Sequence, residues 1–275
     1  ARLGQKRPEW VATFVAGTEG LQGRLLLEEL HRQTGRGYRP KSYKESKSFL
    51  FSSADQVIVN GKHGVIDAYS GVFVEGTSGN GGDFPENGDD NQDGHVDRDG
   101  MNVEHIWPQS FFGERSPMRG DLHHLMATFI HPNGVRGHLP FGVVRGKGDY
   151  WNEAGAKRGQ GVFEPPDFTK GRVARAMLYF YTRHYDQNIT NGHYNDAFWN
   201  DKLAMFLEWN RRFPPDDFER NRNDIVEAYQ GNRNPFIDEP ALAERVGVEG
   251  FRKPGRAERG FSFRAPYRPL VAAGR

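Results

Sequence analysis

The sequence predicts an α+β fold: a single, mainly helical domain around a central stretch of strands and loops. Three observations predict it. Segments with apolar residues at helical spacing stand toward both ends of the chain, and a β-branched alternating run lies between them. No low-complexity linker divides the 275 residues, a length sufficient for one large domain with a sizeable core.

Taken in order, LQGRLLLEELHRQTG (21–35) places Leu26 and Leu30 four residues apart and reaches Gly35, a helix with its stop signal. QVIVNGKHGVIDAYSGVFVEG (56–76) alternates β-branched and polar residues about Asn60-Gly61, a hairpin signal. TSGNGGDFPENGDDNQDG (77–94) is loop by composition. RVARAMLYFYTRHY (172–185) sets Val173, Met177, Phe180 and His184 on one helical face, and KLAMFLEWN (202–210) repeats the pattern with Leu203, Phe206 and Leu207. DDFERNRNDIVEAYQG (216–231) continues it with Phe218, Ile225, Val226 and Tyr229 and stops at Gly231. Pro-Pro pairs at 165–166 and 214–215 precede helical segments, where a fixed φ is harmless. Residues 1–250 read as one domain and 251–275 as a basic tail, in which seven Arg and Lys stand against Glu258 alone.

A hydrophobic content of 36% describes a polar globular protein, and no run approaches the roughly 18 apolar residues of a membrane span, so no membrane partner is expected. The net charge of +1 is uninformative, but its distribution is not. Acidic residues crowd 83–99 and basic ones the tail, an asymmetry that suggests a cation near one and a polyanion near the other. With no cysteine, the chain has no disulfide, iron–sulfur cluster or thiolate zinc site, and a metal must rely on oxygen and imidazole ligands. The chain begins at Ala1 without a charged apolar leader, and the expectation is that a secretion signal has been removed.

Two stretches carry chemistry: NVEHIWPQS (102–110) and DLHHLMATFIHPNGVRG (121–137). Hydrolysis of a phosphodiester requires a base for water, neutralisation of the phosphate and stabilisation of the leaving oxygen. A histidine near neutral pKa can supply the first, and a divalent cation on one or two protein oxygens the others. Glu104 and His105 stand side by side for these roles. Neighbours on a strand face opposite ways, so a bend is needed, and Trp107-Pro108 can provide it. Asn133, after Pro132, is read as opening a helix and offering a second oxygen ligand, with Arg136 on the same face for the phosphate.

NVEHIWPQSFF, DLHHLMATFIHPNGVRG, PFG (140–142), FEPPDFTKGRVARAMLYF (163–180) and PPDDFERNRNDIVEAYQGNRNPFID (214–238) together resemble the bacterial endonuclease I family. GLQGRLLLEELH and YKESKSFLF extend the likeness, so that it runs from about residue 20 to about 238. That family belongs to the ββα-metal, or His-Me finger, nucleases, which implies such a core at about 100–145. The resemblance implies that His105 is the general base, that Glu104 and Asn133 bind Mg²⁺ or Mn²⁺, and that Arg136 faces the phosphate. It also implies cleavage of DNA, and often RNA, with little sequence preference, leaving 5′-phosphates. The chain departs from the family at MATFIHP (126–132) and at His138, both flanking the helix that carries Asn133.

Other constellations leave alternatives open. His124 either supports the site or is a hydrogen-bonded core residue, and adjacent histidines on a strand let only one of His123 and His124 face inward. No common face unites His123, His124 and His131 as a zinc cluster. Asp89, Asn91, Asp93 and Asp97 match positions one, three, five and nine of a calcium loop, but Gly100 stands where a bidentate Glu is required. That stretch is a structural Ca²⁺ site or a solvated acidic loop. Arg115, Arg119, Arg145, Lys147, Lys170 and Arg172 surround the motif blocks and are candidates for nucleic-acid contacts; Phe111 and Phe112 read as core. The expected protein is a monomeric, secreted or periplasmic, metal-dependent endonuclease acting on nucleic acid. Its rivals are an inactive nucleic-acid-binding protein and a phosphodiesterase of small nucleotides.

Overall fold

The structure, a computed structural model, describes residues 17–85, 100–190 and 197–253. The calcium candidates Asp89, Asn91, Asp93 and Asp97, and the tail from residue 254, lie outside the described residues.

Helix α1 (Gly23–Gly35) buries Leu26, Leu27 and Leu30, the stripe its spacing predicts. Helix α2 (Tyr43–Phe49) starts at a reciprocal cap in which the Ser42 hydroxyl accepts from the Glu45 amide and the Glu45 carboxylate accepts from the Ser42 amide. A π turn at Leu50–Ala54 leads into β1 (Gln56–Val59), β2 (Lys62–Ile66) and β3 (Phe73–Glu75), an antiparallel sheet in that order. At the hairpin, Asn60 and Gly61 have φ of 51° and 77°, the two left-handed residues that the tight turn demands.

Strands β4 (Met101–His105) and β5 (Leu125–Phe129) pair antiparallel, with Glu104 opposite Met126 and His105 opposite Leu125. Helix α3 (Ile130–Arg136) follows β5 without a loop. A last small sheet comprises β6 (Tyr150–Trp151), β7 (Lys157–Gly159) and β8 (Val162–Glu164). The rest of the described chain is mainly helical: α4 (Asp167–His184), α5 (Leu203–Arg212), α6 (Asp217–Gln230), α7 (Pro235–Asp238) and α8 (Ala241–Phe251). The mixed α+β architecture therefore matches the expectation. None of the described helices is long and apolar enough to cross a membrane.

Two apolar clusters hold the β4–β5 ribbon between them. The larger gathers α1, α4, α5 and α8 with Trp107, Phe111 and Phe112; the smaller joins the β1–β3 sheet to Val103, Leu125, Ala127 and Phe129. Alternation along β5 explains the division, since Met126 joins the larger cluster while its neighbours join the smaller. Trp107 stacks on Phe180 and donates its indole N–H to the Ile189 carbonyl at 2.8 Å. Burying an aromatic of this size contributes roughly 2–3 kcal/mol, and here it anchors the chain directly after His105.

Two local expectations are corrected. His123 and His124 lie on a 3-10 turn (Leu122–His124) ahead of β5, not on the strand, and both are buried. A turn does not impose the strand's two-faced alternation. Asn133 sits inside α3 and does not open it. Phe129 is the N-cap, and Pro132 occupies the first turn, where no intrahelical partner for its nitrogen is required.

Candidate active site

Beside the β4–β5 ribbon lies a cleft of about 300 Å³, lined by Glu104, His105, Asn133 and Arg136 together with Tyr43 and Glu114. The sequence candidates for base, ligands and phosphate contact thus converge on one concavity. Although Glu104 and His105 are strand neighbours, both reach it, because His105 is the last residue of β4 and the chain bends at Ile106 and Trp107.

The environment of His105 defines its tautomer. Its Nε2 lies 3.1 Å from the Arg119 carbonyl, which can only accept, so Nε2 carries the proton and Nδ1 keeps its lone pair. The ring is 5% exposed and meets Tyr43 on one side and His124 on another. Burial, reinforced by the charge of a protonated His124, holds the His105 pKa well below the ordinary imidazole value. The ring is therefore neutral at neutral pH and able to take a proton at Nδ1.

Glu104 is fully enclosed by protein on one side. Its Oε1 accepts from the Tyr69 hydroxyl at 2.9 Å and is ion-paired with Arg136 Nη1 at 2.7 Å. Burial pushes the carboxyl pKa up to about 7, against the opposing pull of Arg136 and of the Tyr69 hydrogen bond. Arg136 is itself immobilised: Nη1 also donates to the His105 carbonyl at 2.9 Å, Nη2 to the Ile106 carbonyl at 2.7 Å, and the guanidinium lies over Phe141. The expected phosphate-facing arginine is buried at 1% exposure and committed to Glu104 and to the backbone after it. Tyr69 was not among the sequence candidates. Nothing in a lone tyrosine 35 residues upstream marks it as a partner of Glu104.

The donor set fits a hard divalent cation. Asn133 donates Nδ2 to the Val103 carbonyl at 3.3 Å, which turns its Oδ1 the other way, and Glu104 Oε2 takes no hydrogen bond from the described residues. Two side-chain oxygens in one cleft, with no sulfur among its donors, suit Mg²⁺ or Mn²⁺, which retain several waters and need few protein ligands. Among the described residues no group of three or more His, Asp and Glu forms a denser metal cage.

The remaining candidates separate by geometry. His124 is fully buried, with Nε2 2.7 Å from the Met118 carbonyl and its ring edge-on to His105. Arg115 donates to the Phe112 and Asn188 carbonyls and so braces the loop between β4 and β5. Arg119 sits at the cleft wall, held by Gln109 and Glu114 and lying over Tyr43. Lys170 is buried between Glu164 and Asp167 and spends its charge there, away from the cleft. Arg172 lies over Phe218 and lines a different cleft. Arg145 is exposed, as is Lys147, whose ammonium lies 3.9 Å from the Trp151 ring centre.

Comparison with known proteins identifies the family. The model of the Endonuclease I family matches residues 25–241. An extracellular ribonuclease of Bacillus subtilis strain 168 is 32% identical over 246 residues, covering 85% of this chain and 78% of the relative. An extracellular ribonuclease of Bacillus amyloliquefaciens is 35% identical over 156 residues, 53% of each chain. A periplasmic deoxyribonuclease of Aeromonas hydrophila is 29% identical over 128 residues, 46% of this chain and 50% of the relative. The cleft residues and motif blocks fall within the matched span, and the chain belongs to the endonuclease I family.

Proposed function

We propose that the protein is a secreted or periplasmic, divalent-metal-dependent endonuclease that hydrolyses DNA and RNA phosphodiesters with little sequence preference. The observation that carries this reading is the paired orientation of the cleft groups: His105 Nδ1 is left without a proton by the Nε2–Arg119 hydrogen bond, while oxygens of Glu104 and Asn133 remain available beside it. Family relatives named as extracellular ribonuclease and periplasmic deoxyribonuclease support both the substrate class and the location outside the cytoplasm.

His105 takes a proton at Nδ1 from water, whose oxygen then forms the new bond to phosphorus. The bond from phosphorus to the 3′ oxygen breaks with its electron pair, and that oxygen is protonated from solvent, which leaves 5′-phosphate and 3′-hydroxyl ends. Glu104 and Asn133 would hold Mg²⁺ or Mn²⁺, which when bound would supply charge neutralisation of the phosphate and of the departing oxygen. Within this reading the strands and helix at 101–136 form the ββα-metal core. Arg136 holds Glu104 and the carbonyl of the base residue in register, and contact with the substrate falls to exposed groups such as Arg145 and Lys147.

Incubation of the protein with plasmid DNA and with RNA, in Mg²⁺ and then in EDTA, tests the proposal. Metal-dependent cleavage of both polymers is expected. Binding without cleavage would mark an inactive nucleic-acid-binding protein, and hydrolysis confined to small phosphodiesters would mark a nucleotide phosphodiesterase. Replacing Arg145 and Lys147 together by Gln should weaken duplex binding and flatten its salt dependence, by about 0.9 in log–log slope for each phosphate no longer neutralised. An unchanged slope assigns the phosphate binding to other residues.

A further inference from the structure

A carboxylate that binds a cation through one oxygen must be prevented from rotating, tilting or offering the wrong oxygen. Glu104 Oε1 has two partners, the Tyr69 hydroxyl that donates to it at 2.9 Å and the ion-paired Arg136 Nη1 at 2.7 Å, and Oε2 has none from the described residues. Resting on the metal-nuclease reading above, we infer that Tyr69 is a positioning residue which, with Arg136, pins one oxygen of Glu104 and presents the other to the divalent cation.

Tyr69 is unusually well placed for this. It is fully buried, and the hydroxyl makes its one hydrogen bond among the described residues to Glu104. The turn that carries it is fixed from several directions. Asp67 accepts from the Tyr69 and Ser70 amides through Oδ2 and from the Phe129 amide at 2.7 Å through Oδ1. The Ala68 amide donates to the Ala127 carbonyl at 3.0 Å, and the Thr169 hydroxyl donates to the Ala68 carbonyl at 2.6 Å. Asn152 Nδ2 donates to the Tyr69 carbonyl at 3.0 Å, and the ring packs on Phe163 with centres 4.7 Å apart. Space filling alone asks only for a ring; phenylalanine would meet Phe163 equally well. The hydroxyl is needed for the carboxylate.

The second partner is equally constrained, because Arg136 is pegged to the His105 and Ile106 carbonyls. One guanidinium thus joins the ligand carboxylate to the backbone of the proposed base, and Tyr69 closes the clamp from the opposite segment of the chain. Groups that orient a metal ligand in this way characteristically change metal affinity ten- to a hundredfold when removed. They do so without touching the metal.

The test is calorimetric titration of Mg²⁺ and of Mn²⁺ into the full chain without nucleic acid, for wild type, Tyr69→Phe and Glu104→Gln, with melting curves alongside. Y69F is expected to bind at unchanged stoichiometry but ten- to a hundredfold more weakly. In turnover its half-saturating Mg²⁺ should rise by a similar factor, while the rate at saturating metal falls much less. Wild-type affinity in Y69F overturns the clamp. Glu104→Gln separates the two levels: if it binds metal like wild type, the metal site itself is misassigned, whereas its loss of binding beside an unaffected Y69F removes the clamp alone. Should Y69F fail to fold, p-fluorophenylalanine and p-aminophenylalanine at position 69 decide. The first keeps the shape without a donor and must bind metal weakly. The second restores a donor and must recover the affinity; equal binding by both overturns the proposal.

Discussion

A histidine is useful as a base only when the protein decides which nitrogen is bare, and here a backbone carbonyl decides it. The Arg119 carbonyl fixes the proton on Nε2, and burial keeps the ring neutral. Removal of the imidazole should therefore remove proton transfer while leaving the proposed cation site, built on oxygens of Glu104 and Asn133. His105→Ala is expected to lower the cleavage rate by about 10²–10⁴-fold, the usual worth of a positioned base, with Mg²⁺ affinity within a few-fold of wild type. Near-normal nicking by the purified variant would show that another group takes the proton. At this scale the sequence was legible where side-chain identity marks the candidates: Glu104, His105 and Asn133 stand out by residue type and spacing, and they line one cleft. It was silent where the partner is a main-chain oxygen, as at Arg119, or a tyrosine brought in from another segment, as at Tyr69. Arg136 was recognised but its surroundings were not, since charge alone does not reveal whether a guanidinium faces substrate or a buried carboxylate.

Elements were legible according to how much of their geometry is local. The Asn60-Gly61 hairpin and the long helices follow from turn chemistry and from apolar spacing, and both are present. The short elements at the site were harder, because α3 begins three residues before Asn133 and the His123-His124 pair rides on a single 3-10 turn. Periodicity has too few repeats to speak over such lengths. Two glycines test how far local conformation governs these elements. Gly61 has φ of 77° and open space where a Cβ would project, so Gly61→Ala should cost only the left-handed penalty of about 1–2 kcal/mol. Gly231, at the end of α6, has φ of 84° and the Gly37 carbonyl oxygen 2.1 Å from the Cβ position. Overpacking of about 1–3 kcal/mol adds to the strain there, so Gly231→Ala should be the more damaging change. Urea denaturation of the two variants checks the order, and equal losses would mean that the α6 terminus yields freely.

At the scale of the whole molecule, a buried acid packed among imidazoles links stability to pH. Asp121 Oδ2 accepts from the Tyr179 hydroxyl at 2.9 Å and His184 Nε2 at 3.0 Å, and Oδ1 accepts from Gln230 Nε2 at 2.9 Å and the His123 amide at 3.2 Å. Burial opposes the anion, but the His184 hydrogen bond and the nearby charges of His184, His123 and His124 hold its pKa well below the usual carboxylate range. Burial also lowers His123 and His124 to about 4 and depresses His184, against the pull of Asp121. Arg222 and Arg233 beside His123, and Arg183 beside His184, act in the same direction as burial. At neutral pH the His184–Asp121 contact is accordingly a hydrogen bond from a neutral ring to an anion. The sign of the consequence is definite. As pH falls below 6.5 the unfolded chain takes up protons on these histidines while the folded protein does not, so stability is complete above that value and declines toward about pH 4. Each such group removes on the order of 1 kcal/mol per pH unit across the window. Below it, protonation of the unfolded chain's counterpart of Asp121 removes a further share. Urea melts at pH 7 and pH 5 should show a net loss, partly offset by Glu104, whose raised pKa favours the folded state as pH falls, and His123→Gln should flatten the slope. Equal stability at the two pH values would mean that these rings already share their protons with the folded state.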